Sequence, residues 1–154
     1  MKMIKGEKAF NFSLKNSEGE DVSLSDLTQD KSAVLLFFPL AFTSVCTTEL
    51  CTMRDNMKIY NSLNANVAAI SVDSFFTLKE FKKANNLNFQ LLSDFNKEVS
   101  AAYGALYDEF HGMKGVSKRS AFVVNSEGII EYSEILESAG DLPDFKAIQD
   151  TLKG

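Results

Sequence analysis

Apolar positions in this chain alternate at first, then run together, then recur every three or four residues. Phe10, Phe12 and Leu14 alternate with polar neighbours, as do Val22 and Leu24, and Asn16-Ser17-Glu18-Gly19 between them supplies turn chemistry. That spacing predicts an N-terminal β-hairpin. Ala33 to Phe38, AVLLFF, is a continuous apolar run of the kind buried on both faces of a parallel sheet. Pro39 removes a backbone donor and ends it. Leu50, Met53, Met57 and Tyr60 then fall at spacings of three and four. They predict one helix from about Ser44 to Leu63, capped by Thr43 or Ser44 and ended by Asn64-Ala65-Asn66.

Val67 to Val72 reads as a second interior strand, and Phe75 to Asn85 as a helix with Leu78 and Phe81 inward. Phe89 to Leu92 is strand-like and Asp94 to Tyr103 helical, whereas Gly104 to Ser120 has no clear period and reads as a long surface loop of the functional kind. Ala121 to Val124, a turn at Asn125 to Gly128, and Ile129 to Ile135 make a second hairpin. Pro143 opens a last helix with Phe145, Ile148 and Leu152 on its apolar stripe. The order β-β-β-α-β-α-β-α-β-β-α predicts a three-layer α/β domain with a mixed central sheet, spanning residues 1–154.

Composition narrows the function classes. The 154 residues, 45% hydrophobic with 13 Phe and no Trp, suffice for one core without covalent staples. A net charge of −5, from 16 basic and 21 acidic residues, gives nucleic-acid binding no support. The longest apolar stretch, Ala33 to Phe42, is too short to span a bilayer, and MKMIKGEKAF lacks the apolar stretch of a secretory signal. A cytoplasmic protein with no membrane attachment is the expectation. Two cysteines and one histidine are too few for a zinc site or a disulfide scaffold. Asn11-Phe12-Ser13 has the form of a glycosylation sequon by chance, and His111 reads as a lone surface-loop histidine.

Cys46 follows a buried strand, a proline stop and a loop, and falls in the first turn of the long helix. Unpaired N–H groups and the helix dipole favour a thiolate there. Bringing a thiol from about 8.5 to about 6 takes ~3.4 kcal/mol, whereas a helix terminus supplies ~0.3–1 and at best ~2 kcal/mol. A reactive Cys46 therefore needs a cation. Otherwise it is an inert cysteine on the apolar side of its helix. Arg119, at the start of a strand, is either that cation or a solvated surface group, with Lys118 as competitor and Arg54, two turns beyond the cysteine, as a more distant partner. Thr43 has a hydroxyl to donate to an incoming oxygen or to the sulfur. Phe42 is either part of an apolar rim or core.

Pro39, Thr43 and Cys46 match P-x-x-x-T-x-x-C, and the chain here resembles the peroxiredoxins, thiol peroxidases of thioredoxin-like fold. FFPLAFTSVCTTELCTMRD surrounds the motif, ISVDS follows at Ile70 to Ser74 and LLSD at Leu91 to Asp94, so the resemblance spans nearly the whole chain. FFPLAFT resembles the one-cysteine AhpE-type group, and C-x-x-x-x-C the bacterioferritin-comigratory, or Q-type, group. Ser44-Val45 replaces the Pro-Gly frequent in the latter. The resemblance implies that Cys46 attacks a peroxide to form a sulfenic acid, that Thr43 hydrogen-bonds the peroxide and that Pro39 shields the site. It further implies that Arg119 holds the thiolate and that Glu49 orients Arg119.

Cys51 lies five residues past Cys46. On an intact helix the two are offset by about 140° and about 7.5 Å along the axis, and disulfide geometry asks for Cα atoms within about 7 Å. Either Cys51 is a bystander or the first turns unwind after oxidation. The Q-type resemblance implies the second, with Cys51 resolving the sulfenic acid as an intramolecular disulfide and thioredoxin recycling it. A glutaredoxin-like reductant or another small thiol is the alternative for a one-cysteine peroxidase. A peroxide-sensing redox protein is the other reading. No cofactor or metal is implied, and a homodimer through loops near the site is compatible with the family.

Overall fold

The structure, a computed structural model, describes residues 3–154. Seven strands, β1 (Ser13–Asn16), β2 (Asp21–Ser23), β3 (Ser32–Phe37), β4 (Ala65–Ser71), β5 (Gln90–Ser93), β6 (Ser120–Val124) and β7 (Ile130–Ile135), form one sheet in the order β2-β1-β5-β4-β3-β6-β7. β3, β4 and β5 pair in parallel, and the remaining pairings are antiparallel. The helices are α1 (Leu24–Leu27), α2 (Ser44–Asp55), α3 (Met57–Ser62), α4 (Phe75–Asn85), α5 (Glu98–Ala102) and α6 (Phe145–Lys153). The result is the thioredoxin-like three-layer α/β/α arrangement with a mixed sheet and an N-terminal hairpin.

β3 occupies the centre because its side chains are apolar on both faces. Val34 and Leu36 point into one buried cluster with Leu50, Met53, Tyr60, Phe81 and Ile148, from the α2, α3, α4 and α6 layer. Leu35 and Phe37 point into the other, with Leu92, Val99, Tyr103 and Phe122. The alternation of a strand thus supplies both cores from one hydrophobic run. Phe38 extends the pairing by donating its N–H to the Ile70 carbonyl at 2.9 Å, and the buried Pro39 then stops it.

Several boundaries differ from the sequence expectation. The helix expected over Ser44–Leu63 is two helices, because Asn56 interrupts it with φ −109° and ψ 11° while its side-chain amide donates to the Thr52 carbonyl at 2.8 Å. Leu24 leaves the hairpin to start α1, whose N-cap Ser23 and Asp26 exchange capping-box bonds of 3.0 and 2.9 Å. Phe10 and Phe12 precede β1 rather than lying in it. The helix expected from Asp94 begins at Glu98, since the buried Asp94 carboxylate accepts the N–H groups of Val99 and Ser100 at 3.1 and 2.6 Å. Pro143 lies one residue before the Asp144 cap of α6 rather than inside the helix. Gly104–Ser120 holds no named helix and reaches β6 only at its last residue. It is nonetheless folded back on itself, with bridges Leu106↔Ser117 and Phe110↔Met113 and with Val116 and Ser117 buried.

Candidate active site

The site lies where β3 ends, α2 begins and β6 starts. In the antiparallel pairing of β3 with β6, Phe37 faces Ser120, so the residue before β6, Arg119, comes level with the end of β3. The chain then turns through Pro39–Thr43 into α2. Thr43 is the N-cap by backbone, with φ −99° and ψ 153°, but its side chain makes no capping bond. The first-turn N–H groups of α2, Cys46 among them, are left without a side-chain acceptor and favour an anion.

Three of the expected residues meet directly. Arg119 Nη2 donates to Cys46 Sγ at 3.2 Å, and Nη1 donates to Glu49 Oε1 at 2.5 Å. Cys46 and Arg119 are each 1% exposed and Glu49 not at all, so Arg119 is no solvated surface cation. Glu49 reaches the same guanidinium because it lies three residues after Cys46 and shares its helix face. Burial pulls the Arg119 guanidinium down, but the charge of Glu49 and the sulfur of Cys46 outweigh it and hold it above its ordinary value. Burial pushes the Glu49 carboxyl up from 4.5 to about 7 against the opposing charge and hydrogen bond of Arg119. Glu49 Oε2 is buried with no hydrogen-bond partner among the described residues, which fits that direction.

The remaining candidates separate. Thr43 Oγ1 donates to the Leu40 carbonyl at 2.7 Å rather than to the sulfur, so its one proton is engaged and its lone pairs are what it offers a ligand. The hydroxyl is thus turned to the backbone and not to the Cys46 sulfur. Lys118 is not the site's cation: Nζ pairs with Glu137 at 3.1 Å and lies 5.7 Å from the Tyr107 ring centroid. Arg54 bonds Asp55 and the Asn85 carbonyl, away from Cys46. Phe42 is rim rather than core, 56% exposed with its ring 5.1 Å from that of Phe81. His111 is exposed in its loop. Cys51 is half-buried on the intact α2, its Sγ 3.8 Å from Asn85 Oδ1, and both cysteines are free thiols.

One partner escaped sequence reasoning. The Ala139 carbonyl accepts from Arg119 Nε at 3.3 Å and Nη2 at 3.0 Å, so the segment after β7 fixes the plane of the guanidinium. A backbone carbonyl in an irregular segment carries no residue-type signal. A cavity of about 730 Å³ lined by Phe10, Phe12, Phe75 and Phe95 contains none of Pro39, Thr43, Cys46 or Arg119. The thiol chemistry does not use it. Among the described residues no group of His, Cys, Asp and Glu is arranged to hold a metal, and no helix is long and apolar enough to cross a membrane.

Comparison with known proteins gives one answer. The AhpC/TSA family model matches residues 5–133. The human mitochondrial thioredoxin-dependent peroxide reductase is 34% identical over 145 residues, covering 90% of this chain and 53% of that protein. The chloroplastic 2-Cys peroxiredoxin BAS1 of Spinacia oleracea is 34% identical over 140 residues, covering 84% of this chain and 51% of that one. The chain thus spans about half the length of these curated relatives. The crystal structure of peroxidoxin BcpB from Mycobacterium tuberculosis matches with a TM-score of 0.88 at 28% identity, covering 98% of this chain and 97% of that one.

Proposed function

The chain belongs to the AhpC/TSA family, and from that premise we propose that it is a thiol peroxidase in which Cys46 reduces hydrogen peroxide and small organic hydroperoxides. The observation that carries the proposal is the 3.2 Å bond from Arg119 to the Cys46 sulfur, with Glu49 holding the same guanidinium. A structural cysteine needs no buried arginine, and burying one for no return costs several kcal/mol, on the order of the penalty for any buried ion.

The Cys46 thiolate attacks the terminal peroxide oxygen, which keeps its hydrogen, the O–O bond breaks, and the leaving oxygen takes a proton from solvent. Sulfur is oxidised to the sulfenic acid, and the peroxide becomes water or an alcohol. Arg119 has two duties. It holds the thiolate before attack, and its planar fork offers directed donors to the charge that grows on the leaving oxygen. Thr43, its proton spent on Leu40, accepts a hydrogen bond from the peroxide O–H and so holds that terminal oxygen, the one attacked, beside the sulfur. Pro39 contributes a wall without an N–H that would compete for the substrate.

In the proposed cycle Cys51 attacks the sulfenic acid, releasing water and closing a Cys46–Cys51 disulfide. A dithiol reductant of the thioredoxin kind then reduces it, becoming a disulfide itself. The first turns of α2 must open for this, because Cys51 now faces Asn85 from a continuous helix. Loss of the thiolate charge removes one attraction that holds those turns against Arg119. The same contact with Asn85 favours a second reading, a one-cysteine peroxidase resolved by an external thiol such as a glutaredoxin-like reductant. FFPLAFT and the C-x-x-x-x-C spacing support a place between the AhpE-type and Q-type groups. The proposed setting is the cytoplasm.

Intact mass after one equivalent of peroxide tests the proposal. A species lighter by two hydrogens that a dithiol restores supports resolution by Cys51. A stable gain of one oxygen, with Cys51 still alkylatable, supports the one-cysteine reading. An unchanged mass with peroxide unconsumed would overturn the peroxidase itself.

A further inference from the structure

The loop that carries Pro39 and Thr43 is hydrogen-bonded from outside by a side chain. Between Pro39 and Thr43, the hydrogen bond from a backbone N–H to another part of the chain, among the described residues, is Ala41 N–H to Asp73 Oδ2, at 2.8 Å. Asp73 follows β4 and is itself fixed. The same Oδ2 accepts from the Ser71 hydroxyl at 2.7 Å, the Asp73 N–H donates to Ser71 Oγ at 3.2 Å, and its carbonyl accepts from the Ser93 hydroxyl at 2.6 Å. The carboxylate thus joins the end of β4 to the loop after β3, and the backbone carbonyl of the same residue ties it to the end of β5.

That loop needs holding. Phe42, directly after the bonded Ala41, has φ 65°, a left-handed conformation that costs a bulky non-glycine residue on the order of 1–3 kcal/mol and persists only where its surroundings over-determine it. Three contacts do so: Asp73 on Ala41, the Phe42 ring on Phe81, and the Thr43 hydroxyl on Leu40. Only the first ties the loop backbone to another strand end. If it is lost, Phe42 can relax to negative φ. The relaxation is transmitted to the next residue, Thr43, and through it to the start of α2.

We propose that Asp73 is a positioning residue of the thiol site, holding the Pro39–Thr43 loop in the strained conformation that aims Thr43 at the peroxide. The inference rests on the peroxidase reading of Cys46. It concerns the reaction with peroxide and not the acidity of the thiol, because Asp73 is bonded to the loop and not to Cys46 or Arg119.

The test compares Asp73→Ala, Asp73→Asn and Ser71→Ala in the full chain, by single-turnover oxidation with hydrogen peroxide and by alkylation with a neutral haloacetamide, both at a pH where the thiolate is fully formed. D73A should slow oxidation on the order of 10- to 100-fold, the scale of a catalytic group displaced by about an ångström, while alkylation, which needs no aimed peroxide, changes less than about threefold. D73N keeps an acceptor of the same size and should restore most of the rate. S71A loosens Asp73 by removing the serine bonds but leaves the Ala41 bond, and should slow oxidation by less than D73A does. If D73A does not fold, Asp73→Glu moves the carboxylate by one methylene and should slow oxidation selectively in the same way. Oxidation of D73A, or of D73E in its place, at the wild-type rate would overturn the role of Asp73, as would oxidation and alkylation falling together. A wild-type protein inert to peroxide would overturn the peroxidase reading and this inference with it.

Discussion

Replacing Arg119 with lysine keeps the charge and removes the geometry. The arginine spreads its donors over three nitrogens: Nη1 serves Glu49, Nη2 serves Cys46 Sγ and the Ala139 carbonyl, and Nε serves Ala139 again. An ammonium has one nitrogen. Seated against Glu49, its strongest partner, it cannot also point an N–H along the sulfur–peroxide line. The loss resembles removal of one preorganised donor from a developing oxyanion, ~2.7–4 kcal/mol, which at about 1.36 kcal/mol per tenfold is on the order of 100- to 1000-fold in rate. The assay is stopped-flow oxidation of Cys46 by excess peroxide at a pH where ultraviolet absorbance shows both proteins fully in the thiolate form, so ionisation drops out. The folded state should survive, because Glu49 keeps a cation beside it. An R119K rate within about threefold of wild type would refute the reasoning and leave Arg119 as a charge that only stabilises the anion.

Cys46→Ser should fold normally and consume no peroxide, as read by stopped-flow mixing and circular dichroism, because the serine hydroxyl stays protonated at the same helix start. Glu49 sets a pH dependence of stability. Its folded pKa of about 7 lies above the ordinary 4.5, so its contribution is fully present below 4.5 and is lost as pH rises through about 7. Denaturant midpoints across that window should therefore fall more steeply for the wild type than for Glu49→Gln, which keeps a hydrogen-bond acceptor for Arg119 without a carboxyl to ionise.

The strands and the thiol motif were legible because each leaves a local mark. AVLLFF has to be buried on both faces, and a cysteine between a proline stop and an apolar stripe has to open a helix. The break at Asn56 was not legible. Leu50, Met53, Met57 and Tyr60 all face the same core through it, so the apolar period runs on while the backbone does not. The competing amide of Asn56 was the available signal. α1 is too short for any period, yet Ser23 and Asp26 spell its capping box in the sequence. Within the site, Cys46, Glu49 and Arg119 carry chemistry in their residue types. Asp73 and the Ala139 carbonyl act through backbone bonds between distant segments, which only the sheet pairing brings together.

The pairing that delivers Arg119 also sets when the cysteine becomes reactive. Sulfur and guanidinium are 73 residues apart in the chain, and they meet only after β6 has docked beside β3. During synthesis at ~5–20 residues per second, that leaves several seconds in which the cysteine has been made and its cation has not. Through that interval the nascent thiol has no guanidinium beside it. The peptide therefore leaves the ribosome without a sulfur primed by its cation, and the completed site arrives together with the finished sheet.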